Sequence, residues 1–309
     1  MDSATHLRET LSKIIETCKS KRRRYDALVA FSGGKDSTFL IYLLQKKFDL
    51  RLLAVTFDNG FLSAACFANI RNVVTALKVD HTIIKYRQDN LNRIFLESAL
   101  SPIYPDYLTT FGSGVCISCI RMVMTAALRT AIEKQIPMVM LGNSPGQLLR
   151  SEDELIYQDN KIPFALRRRL FAKLAERSGS SIYDYLMLTA EEYRTTPFPY
   201  TISPLPIIGY DEAEIYRTIA AFGWLKPQDV DPNSTNCRLN AFGIIRHMNR
   251  YRFHPYDYEM SQLVRLGSMS REAALEKLED PQGRVIDVAT QVEKDLFCGS
   301  CSKECRGGC

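Results

Sequence analysis

Four stretches of the chain are apolar without alternation, and residues with helical spacing fill the gaps between them. Residues 25–31 (YDALVAF) form an almost unbroken apolar run, the pattern of a strand buried on both faces of a parallel sheet. Residues 51–57 (RLLAVTF), 81–86 (HTIIKY) and 137–142 (PMVMLG) repeat that signal. Between the first two, residues 38–47 place Phe39, Leu40, Leu43 and Leu44 at helical spacing, and basic residues gather at the end, where the helix dipole favours cations. Residues 67–78, 90–100 and 122–134 read as further helices. Strand and helix in alternation predict an α/β fold built on a doubly wound parallel sheet.

The remainder is less regular. The N-terminus reads as an amphipathic helix with Leu7, Leu11, Ile14, Ile15 and Cys18 on one side. Residues 101–114, rich in Pro, Tyr and Gly, read as a loop over the site face. Residues 151–200 are charged and aromatic with weak periodicity, and read as a helical insertion with helices over 164–178, 182–189 and 190–193. The expected organisation is an N-terminal helix over 1–24, a main α/β domain over 25–245 interrupted by the insertion at about 151–200, and a C-terminal helical region over 246–309 ending in a cysteine-dense tail.

Composition narrows the class without naming a chemistry. A hydrophobic content of 46% and a charged content of 24% in 309 residues are those of a globular protein. No apolar run reaches the ~20 residues of a membrane span and the N-terminus lacks a secretory core, so no membrane association and a cytoplasmic location are expected. The net charge of +5 permits an acidic partner without requiring one. The basic runs at 21–24 and 167–169, and the basic-aromatic stretch from Arg246 to His254, are either nucleic-acid contacts or solvated faces. Nine cysteines argue for a reducing compartment, where clustered cysteines bind metal or perform sulfur chemistry more often than they form structural disulfides.

The chemistry concentrates at Ser32-Gly33-Gly34-Lys35-Asp36-Ser37, between the first strand and the first helix. Glycines let the backbone approach a phosphate, the amides of the first helical turn point at it, and Lys35 supplies a counter-charge. Asp36 suits a Mg²⁺ riding on that phosphate. Ligands of open α/β sheets sit beyond the carboxyl ends of the strands, which places Thr56, Phe57 and Asp58 beside this loop. Asp58 reads equally as a nucleotide or metal contact and as a turn carboxylate closing its strand.

The Walker pattern GxxxxGK[ST] is absent. SGGKDS instead resembles the PP-loop of the ATP pyrophosphatase superfamily, whose members cleave ATP between the α- and β-phosphates and adenylate an oxygen that a sulfur or nitrogen nucleophile then displaces. The resemblance implies ATP and Mg²⁺ as cofactors and puts the adenosine at Thr56, Phe57 and Asp58, with Gly142 and Asn143 also at the nucleotide. Residues 201–208 (TISPLPII) and 211–222 resemble the later strand segment of that family and the helix after it.

Cys116-Ile117-Ser118-Cys119 sits just before a helix whose start would lower the thiol pKa values. Taken alone it is a metal or iron–sulfur ligand pair, a redox dithiol or a chance pairing. With the distant Cys237, in Ser234-Thr235-Asn236-Cys237, it resembles the iron–sulfur branch of PP-loop tRNA thiolases, in which three cysteines hold a [4Fe–4S] cluster. Arg121, directly after the CxxC turn and two residues beyond Cys119, fits the same pattern. That resemblance implies adenylation of a carbonyl oxygen and its replacement by sulfur. Lys35, Asp36, Cys116, Cys119 and Cys237 would be catalytic, tRNA or a small molecule the acceptor, and a desulfurase, sulfide or a carrier protein the sulfur donor. A homodimer is left open.

The chain departs from that branch at Leu141-Gly142-Asn143-Ser144-Pro145-Gly146-Gln147, which lacks an acidic pair. The Ser-Thr-Asn-Cys segment also resembles PP-loop amino-sugar amidotransferases, which use ammonia. A non-catalytic nucleotide or redox sensor is the third reading. Cys298, Cys301, Cys305 and Cys309 crowd a tail with little apolar content, which implies metal-supported structure with zinc or a second iron–sulfur cluster. Cys18 and Cys66 read as buried hydrophobes.

Overall fold

The computed structural model describes residues 3–19, 23–148, 152–280 and 283–298. Cys301, Cys305 and Cys309 lie outside the described residues, as does the side chain of Cys298, where the last described helix, Arg284–Cys298, ends. Lys21 and Arg22 of the first basic run also lie outside them.

Six strands form one sheet: β1 (Ala27–Ala30), β2 (Leu52–Asp58), β3 (Asp80–Lys85), β4 (Met138–Leu141), β5 (Ile156–Tyr157) and β6 (Tyr200–Ile202). Their spatial order is β3-β2-β1-β4-β6-β5. Neighbours are parallel except β5, which runs antiparallel to β6. The chain leaves β1 toward β2 and β3, then returns to place β4 on the other flank of β1. That reversal opens a crevice between the carboxyl ends of β1 and β4, where ligands of such sheets bind.

The apolar runs are apolar because both faces are covered. Helices Ser3–Cys18, Lys35–Phe48, Ala64–Leu77 and Glu212–Ala220 bury Leu11, Ile15, Leu40, Leu44, Ile70 and Ile219 against one face. Helix Gly114–Glu133 covers the other, burying Ala127, Leu128 and Ala131 against Leu28, Leu53 and Val139. This helix, 20 residues long, is apolar enough to cross a membrane by length and composition, which the sequence reading did not expect of any run. Over half of its most apolar window is buried inside the fold, the property of a central core helix.

Several elements differ from the sequence reading. β3 is an exposed edge, with Ile83 49% exposed and charged Asp80 and Lys85 at its ends, which suits an unpaired sheet margin. The stretch 201–208 is not one strand: β6 stops before Pro204 and a short helix, Leu205–Ile208, follows. Residues 164–178 break at Phe171 into Phe164–Leu170 and Ala172–Ser178. The CxxC is not in a loop ahead of a helix. Ser113 caps that helix by accepting the Cys116 N–H at 3.2 Å, so both cysteines sit inside its first turns.

Candidate active site at the β1–β4 crevice

The loop after β1 is held in shape from outside. The Ser32 carbonyl accepts the Cys66 thiol and the Asn236 amide, both at 3.2 Å, and the Gly33 carbonyl accepts the Trp224 indole N–H at 2.9 Å. Because C=O and the following N–H point oppositely across a planar peptide, carbonyls tied outward aim the Gly33 and Gly34 amides the other way. Gly33 has φ +73°, and a Cβ there would lie 2.7 Å from Cys66 Sγ and Ile70 Cγ1. Thr235 Oγ1 accepts the Lys35 N–H at 3.2 Å, so the segment 234–237 clasps the loop directly. Trp224→Phe removes one tether, and nucleotide affinity is expected to fall two- to tenfold (about 0.5–1.5 kcal/mol) in calorimetric titration.

A cavity of about 430 Å³ extends from this loop to the cysteines. Of the residues singled out in the sequence, Ser32, Gly34, Asp36, Ser37, Phe57, Gly142, Asn143, Cys116, Cys119 and Cys237 line it. Gly33, Lys35, Thr56 and Asp58 do not. Thr56 is fully buried, bonding the Phe31 carbonyl at 2.7 Å and His81 Nε2 at 2.8 Å. Asp58 closes its strand: one oxygen accepts the Gly60 N–H at 2.8 Å and the other holds Lys85 at 2.9 Å.

Lys35 is held by an acidic and phenolic cluster. Its ammonium lies 2.8 Å from both Asp36 oxygens, 2.6 Å from Tyr210 Oη and 3.4 Å from Glu212. Burial alone would lower its pKa, but Asp36, Tyr210 and Glu212 together hold it well above the usual lysine value. Two of these partners, Tyr210 and Glu212, come from some 175 residues away in sequence. Lys35 therefore fixes the Asp36 carboxylate at the cavity wall.

Cys116 and Cys119 come from helix Gly114–Glu133, and Cys237 from a segment zipped by backbone to residues 61–63. Ser63 N–H donates to the Asn236 carbonyl at 3.0 Å, Arg238 N–H to the Phe61 carbonyl at 2.9 Å, and Leu62 and Cys237 form an antiparallel bridge. Asn59 Nδ2 lies 3.4 Å from Cys119 Sγ and 3.3 Å from Cys237 Sγ, so the two sulfurs are no farther apart than the sum of those distances. Cys116 Sγ donates to Asn240 Oδ1 at 3.2 Å. The helix start does not lower these thiols: burial pushes Cys116 up to about 12 and raises Cys119 and Cys237 as well. Among the described residues, no three His, Cys, Asp or Glu groups are placed to hold a single metal ion.

The basic stretches are partly structural. Arg167 is buried on Asp159, which also holds Arg121 at 3.0 Å, while Arg168 and Arg169 are exposed. His247 and His254 are buried, and His247 packs on Tyr251 and Phe253. That stretch is therefore not a solvated face along its whole length. Asn59, Asn240 and Trp224 escaped the sequence reading. Only Asn59, in an Asp-Asn-Gly turn, and Asn240, three residues after Cys237, carried any local hint.

The model of the family described as queuosine biosynthesis protein QueC matches residues 26–101, which span β1, the SGGKDS loop and β2. That family is a PP-loop family, and the match covers the part of the chain that holds the SGGKDS loop. An uncharacterised protein of Methanocaldococcus jannaschii, MJ1599, is 25% identical over 276 residues, 89% of this chain and 80% of its own length. Among solved structures, the U34-tRNA thiolase NcsA of Methanococcus maripaludis with its [4Fe-4S] cluster is similar at 13% identity and a TM-score of 0.40, over 99% of this chain and 84% of its own. An NH3-dependent NAD synthetase from Campylobacter jejuni is similar at 14% identity and TM-score 0.39, over 98% of this chain and 99% of its own. The NMN synthetase of Francisella tularensis matches at 10% identity and TM-score 0.40, over the full length of both chains. At such scores none of the three bears on activity. The chemistry of the site is carried by the PP-loop and the cavity it opens into.

Proposed function

We propose that this protein is a PP-loop, ATP-dependent sulfurtransferase. A carbonyl oxygen of the acceptor attacks the α-phosphorus of ATP and pyrophosphate leaves. A sulfur nucleophile then adds to the activated carbon, and AMP departs with the oxygen. The observation that carries this reading is the shared cavity: Cys116, Cys119 and Cys237 open onto the same space as Ser32, Gly34 and Ser37.

The residues divide the work. The loop amides and the Ser32 and Ser37 hydroxyls bind and orient the phosphates. Asp36, held in place by Lys35, is the carboxylate offered to Mg²⁺. Three soft sulfurs without an oxygen ligand suit an iron–sulfur group better than a hard cation, and the 430 Å³ cavity has room for a ligand larger than one ion. A cluster bound there would supply the sulfur. A base carbonyl in tRNA is the acceptor favoured, with a small carbonyl compound as the alternative.

Anaerobic reconstitution of the full-length protein tests this. Iron and acid-labile sulfide should bind, and ATP should yield equal AMP and pyrophosphate only with an acceptor, with sulfur appearing in the product. Cys237→Ala should lose the iron and sulfur transfer while still binding ATP. A colourless, iron-free protein that converts its acceptor with ammonia would replace this reading with amide formation.

A further inference from the structure

The three thiols of the cavity face side-chain amides of opposite polarity, and both amides are locked. Asn59, 3% exposed, turns its Nδ2 to Cys119 and Cys237 while its Oδ1 accepts the Phe61 N–H at 2.9 Å. A backbone N–H only donates, so this bond fixes which end of the amide meets the two sulfurs. Asn240 is fixed the other way round. Asp231, 1% exposed, accepts from Asn240 Nδ2 on both oxygens at 3.1 and 3.0 Å. The Asn240 oxygen is thereby left to Cys116, which donates at 3.2 Å, and to Tyr256 Oη, which donates at 3.0 Å.

We propose that Asn59 and Asn240 are positioning residues that make Cys119 and Cys237 the two retained ligands and Cys116 the exchangeable one. This rests on the three-cysteine ligand set proposed above. An N–H bond to a metal-bound sulfur supports its negative charge, and the Asn59 bonds serve the bound and the free states alike. Cys116 has no such support from Asn240. Its own bond to Asn240 Oδ1 exists only in the metal-free chain and competes with ligation. Tyr256 continues to satisfy that oxygen when Cys116 leaves it, so exchange strands no buried acceptor.

The test uses full-length Cys116→Ser, Cys119→Ser and Cys237→Ser, near-isosteric changes, each reconstituted anaerobically with iron and sulfide. Iron and labile sulfide per chain are then measured beside the melting temperature. Cys116→Ser should keep about half or more of the wild-type iron, and the other two about a tenth or less. A second arm measures iron loss to a chelator from Asp231→Asn, which frees Asn240 to present its Nδ2 to Cys116. That loss should slow about threefold or more. Equal iron loss in the three serine variants, or an unchanged chelator rate in Asp231→Asn, overturns this inference and leaves the sulfurtransferase reading standing. A wild type that takes up no iron overturns both.

Discussion

Gly142→Ala is expected to weaken ATP binding about five- to hundredfold while leaving most of the sheet intact, which isothermal titration and a thermal melt would measure side by side. Gly142 directly follows β4 across the crevice from the PP-loop. A Cβ there would lie 2.8 Å from both the N and the Cα of Ser37 and 3.1 Å from the Asp36 carbonyl carbon. Those are backbone atoms of the first helical turn, and no rotamer change relieves the contact. The helix start would have to move, and the amides that form the anion cradle move with it. Overpacking of this kind costs about 1–3 kcal/mol, which sets the range. Gly112→Ala is the control, since a methyl group at that position would meet nothing within 4 Å. Wild-type affinity in Gly142→Ala would show that the PP-loop does not depend on this close approach.

What the sequence disclosed depends on how local each signal is. β1, β2 and β4 were legible because burial on both faces forces an uninterrupted apolar run. β5 was not: two residues on a sheet margin exist as a strand only through pairing with β6, and pairing leaves no local mark. The CxxC helix was placed too late because the apolar spacing strengthens only from Met122, whereas the helix begins where Ser113 caps it. The SGGKDS loop was legible as a turn between β1 and the first sheet helix from six residues alone. The orientation of Lys35 could not be read there, because Tyr210 and Glu212 decide it from another part of the chain. The same limit governed the cysteines. Spacing grouped Cys116 with Cys119, but the meeting with Cys237 depends on the backbone zipper between 61–63 and 236–238. In the run Arg167-Arg168-Arg169, charge alone could not separate the buried member from its exposed neighbours.

Asp159→Asn is expected to cost about 3–5 kcal/mol of stability and lower the melting temperature by roughly 10 °C. The Asp159 side chain is 2% exposed and faces two guanidiniums, Arg121 at 3.0 Å and Arg167 at 2.8 Å, with the Tyr193 hydroxyl donating at 3.2 Å. An amide keeps the shape and removes the charge, leaving two buried cations without a counter-ion. The pH dependence has a definite sign. Burial pushes the Asp159 carboxyl up, but Arg121 and Arg167 outweigh it and hold its pKa below the ordinary aspartate value. Its contribution is therefore present above about pH 4, the unfolded value, and is lost as pH falls through the lower folded value. Wild-type melting temperature should drop across that window more steeply than that of Asp159→Asn, since the variant has no carboxyl to protonate there. Arg121 stands two residues after Cys119 on the same helix and also holds the Leu186 carbonyl at 2.8 Å. On the sulfurtransferase reading proposed above, loosening this anchor should also lower the iron taken up on reconstitution, since Arg121 and the cysteines share one helix. A variant melting within about 2 °C of wild type would mean that water or a neighbouring group compensates the two arginines.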